Sequence, residues 1–253
     1  MLEIEGLSIR FGGLQAVMDF NLTMEPGELL GLIGPNGAGK TTVFNMLTGL
    51  YHPNSGRITF RGRSLRGLKP NRITRLGIAR TFQNIRLFGN LSVLDNVRVA
   101  YHLRSRVGML ASVLRTPGFS RQEREFLGEA RRLLGVLGLE GRALELAKNL
   151  PYGEQRRVEI ARALATGAPL ILLDEPAAGM NPQETAELMN TIRRLNTEFE
   201  KTILLIEHHM EVVMGVCRRI VVLDYGQTIA CGTPEEIRRD RRVIEAYLGE
   251  EVA

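Results

Sequence analysis

Two spacings of apolar residues divide the chain into predicted strands and helices. Short, mostly apolar runs of strand length are each followed by a longer stretch in which apolar residues recur every three or four positions. The pairs are Gly27–Gly34 with Lys40–Leu47, Leu170–Leu173 with Pro182–Phe199, and Thr202–Ile206 with Met210–Val216. Strands that alternate with helices in this way predict an α/β fold with a mostly parallel sheet and helices on its faces.

The N-terminal residues instead alternate apolar and polar positions. Leu2–Arg10 and Leu14–Met24 show this alternation on either side of Gly12 and Gly13, and Ile58–Arg61 adds a short third run. A period of two is typical of half-buried antiparallel strands. We therefore expect an antiparallel β layer beside the parallel sheet.

The stretch between Asn90 and Leu164 has no convincing strand pattern. Helical spacing occurs there over Leu91–His102, Gln122–Leu137 and Glu154–Leu164. This contrast indicates a helical insertion within a single domain. We predict one domain over residues 1–253, with a core and β layer at 1–89 and 165–253 and a helical subdomain at 90–164.

A phosphate-binding motif follows the first predicted parallel strand. GPNGAGKT fits G-x-x-x-x-G-K-[ST] between a strand and a helix, which is the context this motif requires. Its glycines let backbone N–H groups and the helix dipole face phosphates, its lysine places a charge between the β- and γ-phosphates, and its hydroxyl ligates Mg²⁺. The predicted nucleoside triphosphate site comprises Gly34, Pro35, Asn36, Gly37, Ala38, Gly39, Lys40, Thr41 and Thr42.

Two carboxylates end the predicted strand Leu170–Leu173. Ligands of α/β proteins bind at the carboxyl ends of the strands, so Asp174 and Glu175 belong at the same edge as the phosphate motif. Two adjacent buried acids are costly to keep ionised without a cation. We predict that Asp174 helps to hold Mg²⁺ and that Glu175 polarises the water that attacks the γ-phosphate. A solvated acidic turn is the alternative.

Polar residues also follow two other apolar runs. His208 comes just after Thr202–Ile206, where an imidazole can hold the γ-phosphate and the attacking water. Gln83 comes just after Ile78–Phe82, where a neutral amide can reach Mg²⁺ or water. We expect both at the nucleotide edge, although a lone histidine is more often structural.

With these motifs in order, the chain resembles the ATP-binding-cassette ATPases over nearly its whole length. The resemblance rests on Gly34–Thr42, Gln83, a signature at Leu150–Glu154, Asp174–Glu175, His208, and the signature-like helix Val158–Leu164. It implies ATP and Mg²⁺ as cofactors. It also implies catalytic roles for Glu175, His208 and Gln83, and metal contacts from Thr41, Gln83 and Asp174.

The resemblance also explains why LPYGEQRR, at residues 150–157, begins a helix without a capping side chain. It implies that Tyr152, Gly153 and Glu154 face the ATP held by a second subunit. The family's usual Leu-Ser-Gly-Gly-Gln is altered here, so the serine hydroxyl is missing and Pro151 has no N–H. Where the family usually has an aspartate after the Asp-Glu pair, this chain has Asn181.

Phe11 stands where the family stacks an aromatic ring on adenine, and core packing is the alternative. A second apolar set follows Gln83 and would contact membrane subunits, again with core packing as the alternative. Its members are Ile85, Leu87, Phe88, Leu91 and Val93.

Four features are similar to the ATPase subunits of branched-chain amino-acid importers. They are the Tyr-Gly-Glu form of the signature, Ala178–Pro182, Ile206–Met210 and an extra region at Tyr101–Arg121. This closer resemblance implies a pair of ATPases, as homodimer or heterodimer, beneath two integral membrane subunits that a periplasmic binding protein supplies. The implied location is cytoplasmic, at the inner face of the cell membrane.

Composition agrees with this interpretation and adds little to it. The longest stretch without Asp, Glu, Lys or Arg, Thr41–Gly56, is shorter than the roughly 18 apolar residues of a membrane span. The N-terminus lacks a secretory pattern, and Cys217 and Cys231 lie too far apart for a metal knuckle. We expect a cytosolic protein.

Net charge leaves two further questions open. The value of +5 permits an anionic partner. The basic segments Arg61–Arg75 and Arg104–Arg115 are either solvated faces or contacts for lipid headgroups and membrane-subunit loops.

Two rival functions use the same phosphate motif. A cytosolic cassette ATPase that acts on ribosomes or nucleic acid would use the positive charge, but such relatives usually carry two cassettes or a long coiled-coil insertion. A small-molecule kinase or GTP switch would lack the signature helix and His208. We therefore expect no nucleic-acid partner.

Overall fold

The computed structural model describes residues 1–105, 114 and 116–251. The chain forms two compact units. One, here called the core unit, comprises Met1–Arg80 and the residues from Pro169 onward, and the other, the helical unit, is Thr81–Ala168.

The described residues contain ten β-strands. They are β1 (Leu2–Phe11), β2 (Leu14–Met24), β3 (Leu29–Ile33), β4 (Ser55–Phe60), β5 (Arg63–Ser64), β6 (Ile78–Arg80), β7 (Leu170–Asp174), β8 (Thr202–Ile206), β9 (Arg219–Asp224) and β10 (Gln227–Gly232). One sheet has the order β2-β1-β4-β5 and is antiparallel. The other has the order β10-β9-β3-β8-β7-β6, and all its pairings are parallel except that of β9 with β10. The predicted α/β fold with an antiparallel layer is confirmed.

Nine α-helices accompany these strands in the part of the chain that the structure describes. They are α1 (Lys40–Leu47), α2 (Pro70–Leu76), α3 (Val93–Tyr101), α4 (Pro117–Val136), α5 (Tyr152–Ala165), α6 (Pro182–Thr197), α7 (Met210–Val216), α8 (Pro234–Arg239) and α9 (Arg241–Glu251). Among the described residues, no helix combines the length and apolar composition needed to cross a bilayer.

Burial explains the two strand patterns. Every residue of β3, β7 and β8 is buried, as expected for strands covered on both faces, whereas β1 largely alternates buried and exposed residues. One hydrophobic cluster joins both sheets to α1, with Phe20, Phe44 and Leu172 among its members. This packing fixes the loop before α1 against the ends of the parallel strands.

The structure differs from the sequence prediction at a hairpin and at the start of a helix. The β9–β10 hairpin was not predicted, because the apolar run in Arg219–Asp224 leads to a tight turn at Tyr225 and Gly226 rather than to a helix. Helix α4 begins five residues before the predicted start, where the hydroxyl of Thr116 accepts from the Phe119 amide at 3.4 Å. Residues 106–113 and 115, which belong to two predicted surface regions, lie outside the described residues.

Candidate nucleotide site

The loop between β3 and α1 is built around glycines that no other residue could replace without strain. At Gly34 an added Cβ would lie 1.9 Å from the Leu223 carbonyl oxygen, and at Gly39 it would lie 2.5 Å from that of Ala16. Gly39 has φ 101° and is the residue just before α1. The loop can therefore approach neighbouring backbone closely and present its amides at the start of a helix.

Lys40 extends its charge back into this loop. Its Nζ donates to the carbonyl oxygens of Gly34 at 2.5 Å and Pro35 at 2.7 Å, and the residue is 5% exposed. A buried ammonium held by two carbonyls keeps a fixed position. The loop thus carries a positive charge at the N-terminus of α1, where the helix dipole also favours anions.

A cavity of about 340 Å³ opens over this loop within the core unit. Its lining comprises Phe11, Leu14, Gln15, Ala16, Asn36, Gly37, Ala38, Gly39, Lys40, Thr41, Thr42, Glu175, His208 and Tyr225. The structure therefore brings together most of the predicted phosphate loop, Phe11, Glu175 and His208. Gly34 and Pro35 form the loop's beginning and contact Lys40.

Phe11 stands at the rim of the cavity. It is 43% exposed, which excludes core packing, and its ring meets that of Tyr51 edge-on with centroids 5.1 Å apart. An exposed ring fixed by an aromatic neighbour is well suited to stack on a planar base.

Glu175 and His208 form a pair across the ends of β7 and β8. The Oε1 of Glu175 lies 2.6 Å from the Nε2 of His208, while the Glu175 amide donates to the Ile206 carbonyl at 2.9 Å. Glu175 has φ 47°, a left-handed conformation that costs a non-glycine residue about 1–3 kcal/mol. Such strain is characteristic of functional sites, and here it aims a carboxylate that is largely buried.

The neighbouring Asp174 is held by a cation that the sequence analysis missed. The Nη2 of Arg80 donates to Asp174 Oδ2 at 2.7 Å, and the two side chains are 5% and 3% exposed. Arg80 also donates to Asn45 Oδ1 at 2.8 Å and Thr48 Oγ1 at 3.2 Å, both on α1 or directly after it. A charged residue inside the apolar run Ile78–Phe82 was the signal available in the sequence.

Glu207 is the second residue that the sequence analysis passed over. Its Oε1 accepts from the Ala177 amide at 2.6 Å, and its Oε2 accepts from the His208 amide at 3.0 Å. Burial raises the pKa of Glu207 above its ordinary value, although these amides oppose the shift. This buried carboxylate connects the backbone before His208 to the segment that follows Glu175.

The segment after Glu175 ends in a helix cap at Asn181. Its Oδ1 accepts from the Glu184 amide at 2.9 Å, and the Glu184 carboxylate accepts from the Asn181 amide at 3.0 Å. This reciprocal pair is a capping box for α6. The residue that departs from the family pattern therefore has a structural role in the chain itself.

The remaining predicted site residues belong to the helical unit. Helix α5 begins at Tyr152 with Pro151 before it and without a capping side chain, so its first amides are available to an anion. Tyr152 is 44% exposed and Gly153 is buried, while Glu154 reaches Arg142 Nε at 3.4 Å. The exposed Gln83 lies in the same unit.

The apolar set after Gln83 divides into two groups. Val93 is fully buried and packs in the helical unit, so it is not a surface contact. Phe88 and Leu91 are 53% and 37% exposed, and Ile85 and Leu87 are half-buried.

The phosphate loop, the helix N-terminus and the carboxylate–imidazole pair define a nucleotide-hydrolysing protein of the P-loop class. Comparison with known families makes this specific: residues 17–178 match the ABC transporter family, and residues 227–253 match the branched-chain amino acid ATP-binding cassette transporter family. The chain belongs to the ABC transporter family and is one of its ATP-binding, ATP-hydrolysing cassettes.

Similar proteins agree with this assignment along the whole chain. The high-affinity branched-chain amino acid transport ATP-binding protein LivG of Escherichia coli K12 is 50% identical over 250 residues, covering 99% of this chain and 98% of LivG. The crystal structure of the ADP conformation of the cassette MJ1267 has a TM-score of 0.85 at 29% identity and covers 98% of both chains. A dimeric post-hydrolysis structure of the cassette MJ0796 with ADP and Pi has a TM-score of 0.77 at 26% identity, covering 92% of this chain and 99% of that one.

Proposed function

We propose that this chain is the ATP-hydrolysing subunit of a membrane importer for branched-chain amino acids. The observation that carries the proposal is the cavity that joins the Lys40 loop to the Glu175–His208 pair, in a chain half identical to LivG from end to end. The chain acts at the inner face of the cell membrane with a second cassette and two integral membrane subunits. A periplasmic binding protein delivers the cargo.

ATP binds with its phosphates on the loop before α1. Backbone amides and the helix dipole hold the phosphates, Lys40 lies between the β- and γ-phosphates, and Phe11 stacks on the adenine. The exposed Phe11 ring at the rim of the same cavity supports this orientation.

The donors near the phosphate loop fit Mg²⁺. At a nucleotide site Mg²⁺ is held by one or two protein oxygens together with substrate phosphates. Thr41, Asp174 and Gln83 would hold Mg²⁺, which when bound neutralises charge on the β- and γ-phosphates.

Hydrolysis uses the carboxylate that the backbone aims into the cavity. Glu175 accepts a proton from water as the water oxygen bonds to the γ-phosphorus, and the bond from that phosphorus to the β,γ-bridging oxygen breaks, giving ADP and phosphate. His208, 2.6 Å from the Glu175 carboxylate, orients it and reaches the γ-phosphate. For Gln83, the family resemblance alone implies a contact with Mg²⁺ or the water.

The second cassette completes each ATP-binding site. The first amides of α5 lack a capping side chain, and Tyr152, Gly153 and Glu154 there face the partner's γ-phosphate. The dimeric MJ0796 structure with ADP and Pi supports such an assembly. Closure on two ATP molecules and reopening after hydrolysis then drive the membrane subunits.

Reconstitution tests this function. We expect the tagged chain to co-purify with integral membrane proteins, and proteoliposomes of that complex to take up leucine only with ATP and the binding protein. Glu175→Gln should abolish uptake while leaving ATP bound. Wild-type turnover in Glu175→Gln would refute the base assignment, and salt-sensitive binding to nucleic acid without membrane partners would refute the transport function.

A further inference from the structure

Among the described residues of the helical unit, the most deeply buried charge connects two of the predicted site segments. Arg156 lies on α5, four residues after Tyr152, and is completely inaccessible to solvent. Its partners lie on α5 itself and on the backbone around Gln83. Neither the family match nor the resemblance assigns this residue a role.

Each terminal nitrogen of Arg156 contacts one carbonyl of adjacent residues. Nη1 donates to the Phe82 carbonyl, and Nη2 donates to the Gln83 carbonyl at 2.6 Å. Because the guanidinium is planar and rigid, two such bonds fix the direction of the peptide between Phe82 and Gln83 as well as its distance from α5.

Glu159, one turn further along α5, extends this contact. It accepts from Arg156 Nη1 at 2.9 Å through Oε2 and from the Arg86 amide at 3.3 Å through Oε1, and it is 1% exposed. Burial raises the pKa of Glu159, while Arg156 and the Arg86 amide favour its ionised form. The pair therefore holds the segment 82–86 at both ends.

The same guanidinium reaches the signature. Nη2 also contacts the Tyr152 hydroxyl at 3.0 Å, with the guanidinium carbon 5.7 Å from the centre of the Tyr152 ring. One buried side chain thus contacts the segment that carries Gln83 and the residue that opens the helix N-terminus.

We propose that Arg156 is a positioning residue that locks the Gln83 backbone to the signature helix. This inference rests on the proposed function. It means that Gln83, which serves one ATP site, and the N-terminus of α5, which serves the other, move as one body. Arg156 touches no reacting atom and acts through the carbonyls of Phe82 and Gln83. Its loss would leave ATP binding intact and reduce turnover.

Arg156→Lys separates this role from simple charge pairing. A lysine retains the charge that Glu159 requires, but its single nitrogen lacks the planar fork that fixes two adjacent carbonyls. We expect kcat to fall about 10- to 100-fold with little change in KM, the scale expected for a displaced site group. Hydrogen exchange over residues 82–88 should become about tenfold faster, because a lysine cannot hold the carbonyls of Phe82 and Gln83 together and the segment loses one hydrogen bond to α5.

Two further variants keep the test decisive. Arg156→Met with Glu159→Leu removes both buried charges, which preserves folding better than removing one, and should show the same loss. The matched control is Arg98→Lys. Arg98 pairs with Asp95 and Glu123 in the same unit, and its replacement by lysine should keep wild-type turnover.

The measurements are ATP turnover in the assembled transporter, binding of a fluorescent ATP analogue, and hydrogen exchange over residues 82–88. Wild-type kcat in both Arg156 variants, or unchanged exchange over residues 82–88 in Arg156→Lys, would overturn the proposal. An inactive wild-type protein would instead refute the proposed function, and the exchange experiment would still decide whether Arg156 holds the segment.

Discussion

Removing the buried cation at Asp174 should destabilise the core unit more than any surface substitution. Arg80→Met keeps the volume and removes the charge beside a carboxylate that is 3% exposed. Breaking a buried ion pair from one side costs about 3–5 kcal/mol, because the remaining charge is left without compensation. Asn45 and Thr48 also lose a donor each, so the upper part of that range is expected.

Chemical denaturation measures this cost directly. For a chain of this size 3–5 kcal/mol corresponds to a fall in Tm of about 6–20 °C. Urea unfolding followed by circular dichroism should show the loss in free energy of unfolding, and thermal unfolding should show the fall in Tm. The control Arg66→Met, at an exposed position in the same unit, should stay within about 0.5 kcal/mol of wild type.

A double-mutant cycle identifies the interaction. Asp174→Asn removes the charge that Arg80 compensates, so Arg80→Met should cost clearly less in that background than in the wild type. An Arg80→Met protein within about 1 kcal/mol of wild type, or a strictly additive cycle, would show that this pair does not stabilise the fold.

Three smaller predictions concern single groups in the core unit. The buried Glu207 keeps its proton to higher pH than in the unfolded chain, so its contribution to stability is lost as pH rises from about 4.5 through the raised pKa. Glu207→Gln cannot titrate and should gain stability relative to wild type over that window in urea titrations; parallel pH profiles would contradict this. Burial raises the pKa of Cys217 to about 12 while Cys231 is exposed, so maleimide should label one thiol per native chain and two in urea; two native labels would be inconsistent with the packing. Asn181→Ala should cost about 1 kcal/mol in urea unfolding through loss of the cap, and an unchanged midpoint would refute the capping role.

Strands that are buried on both faces were the most predictable part of the fold. Their apolar runs are long enough to identify without structural information, and the loop after β3 follows from its glycines. The β9–β10 hairpin was missed because one apolar run without a following helix could be a strand or a buried turn of helix.

Asp174, Glu175 and His208 shared a visible signal, a polar group at the end of an apolar strand. The roles of Arg80, Arg156 and Glu207 could not be assigned from the sequence, because they depend on partners distant in the chain. Arg80 meets a carboxylate 94 positions away, and Arg156 meets carbonyls 73 and 74 positions away. Only the folded chain shows that such charges are buried and paired.

The central claim is that a complete ATP site requires two cassettes, and dimer formation by a non-hydrolysing variant tests it most directly. Glu175→Gln, alone or mixed with its partner cassette, should shift from monomer to dimer mass when ATP is added, and Gly153→Asp on the same background should prevent the shift by placing a carboxylate at the start of α5. Mass photometry of these samples should be paired with wild-type turnover across a dilution series. We expect turnover per chain to fall as the dimer dissociates. A strictly monomeric preparation that hydrolyses ATP at a constant rate per chain at every dilution would contradict the claim.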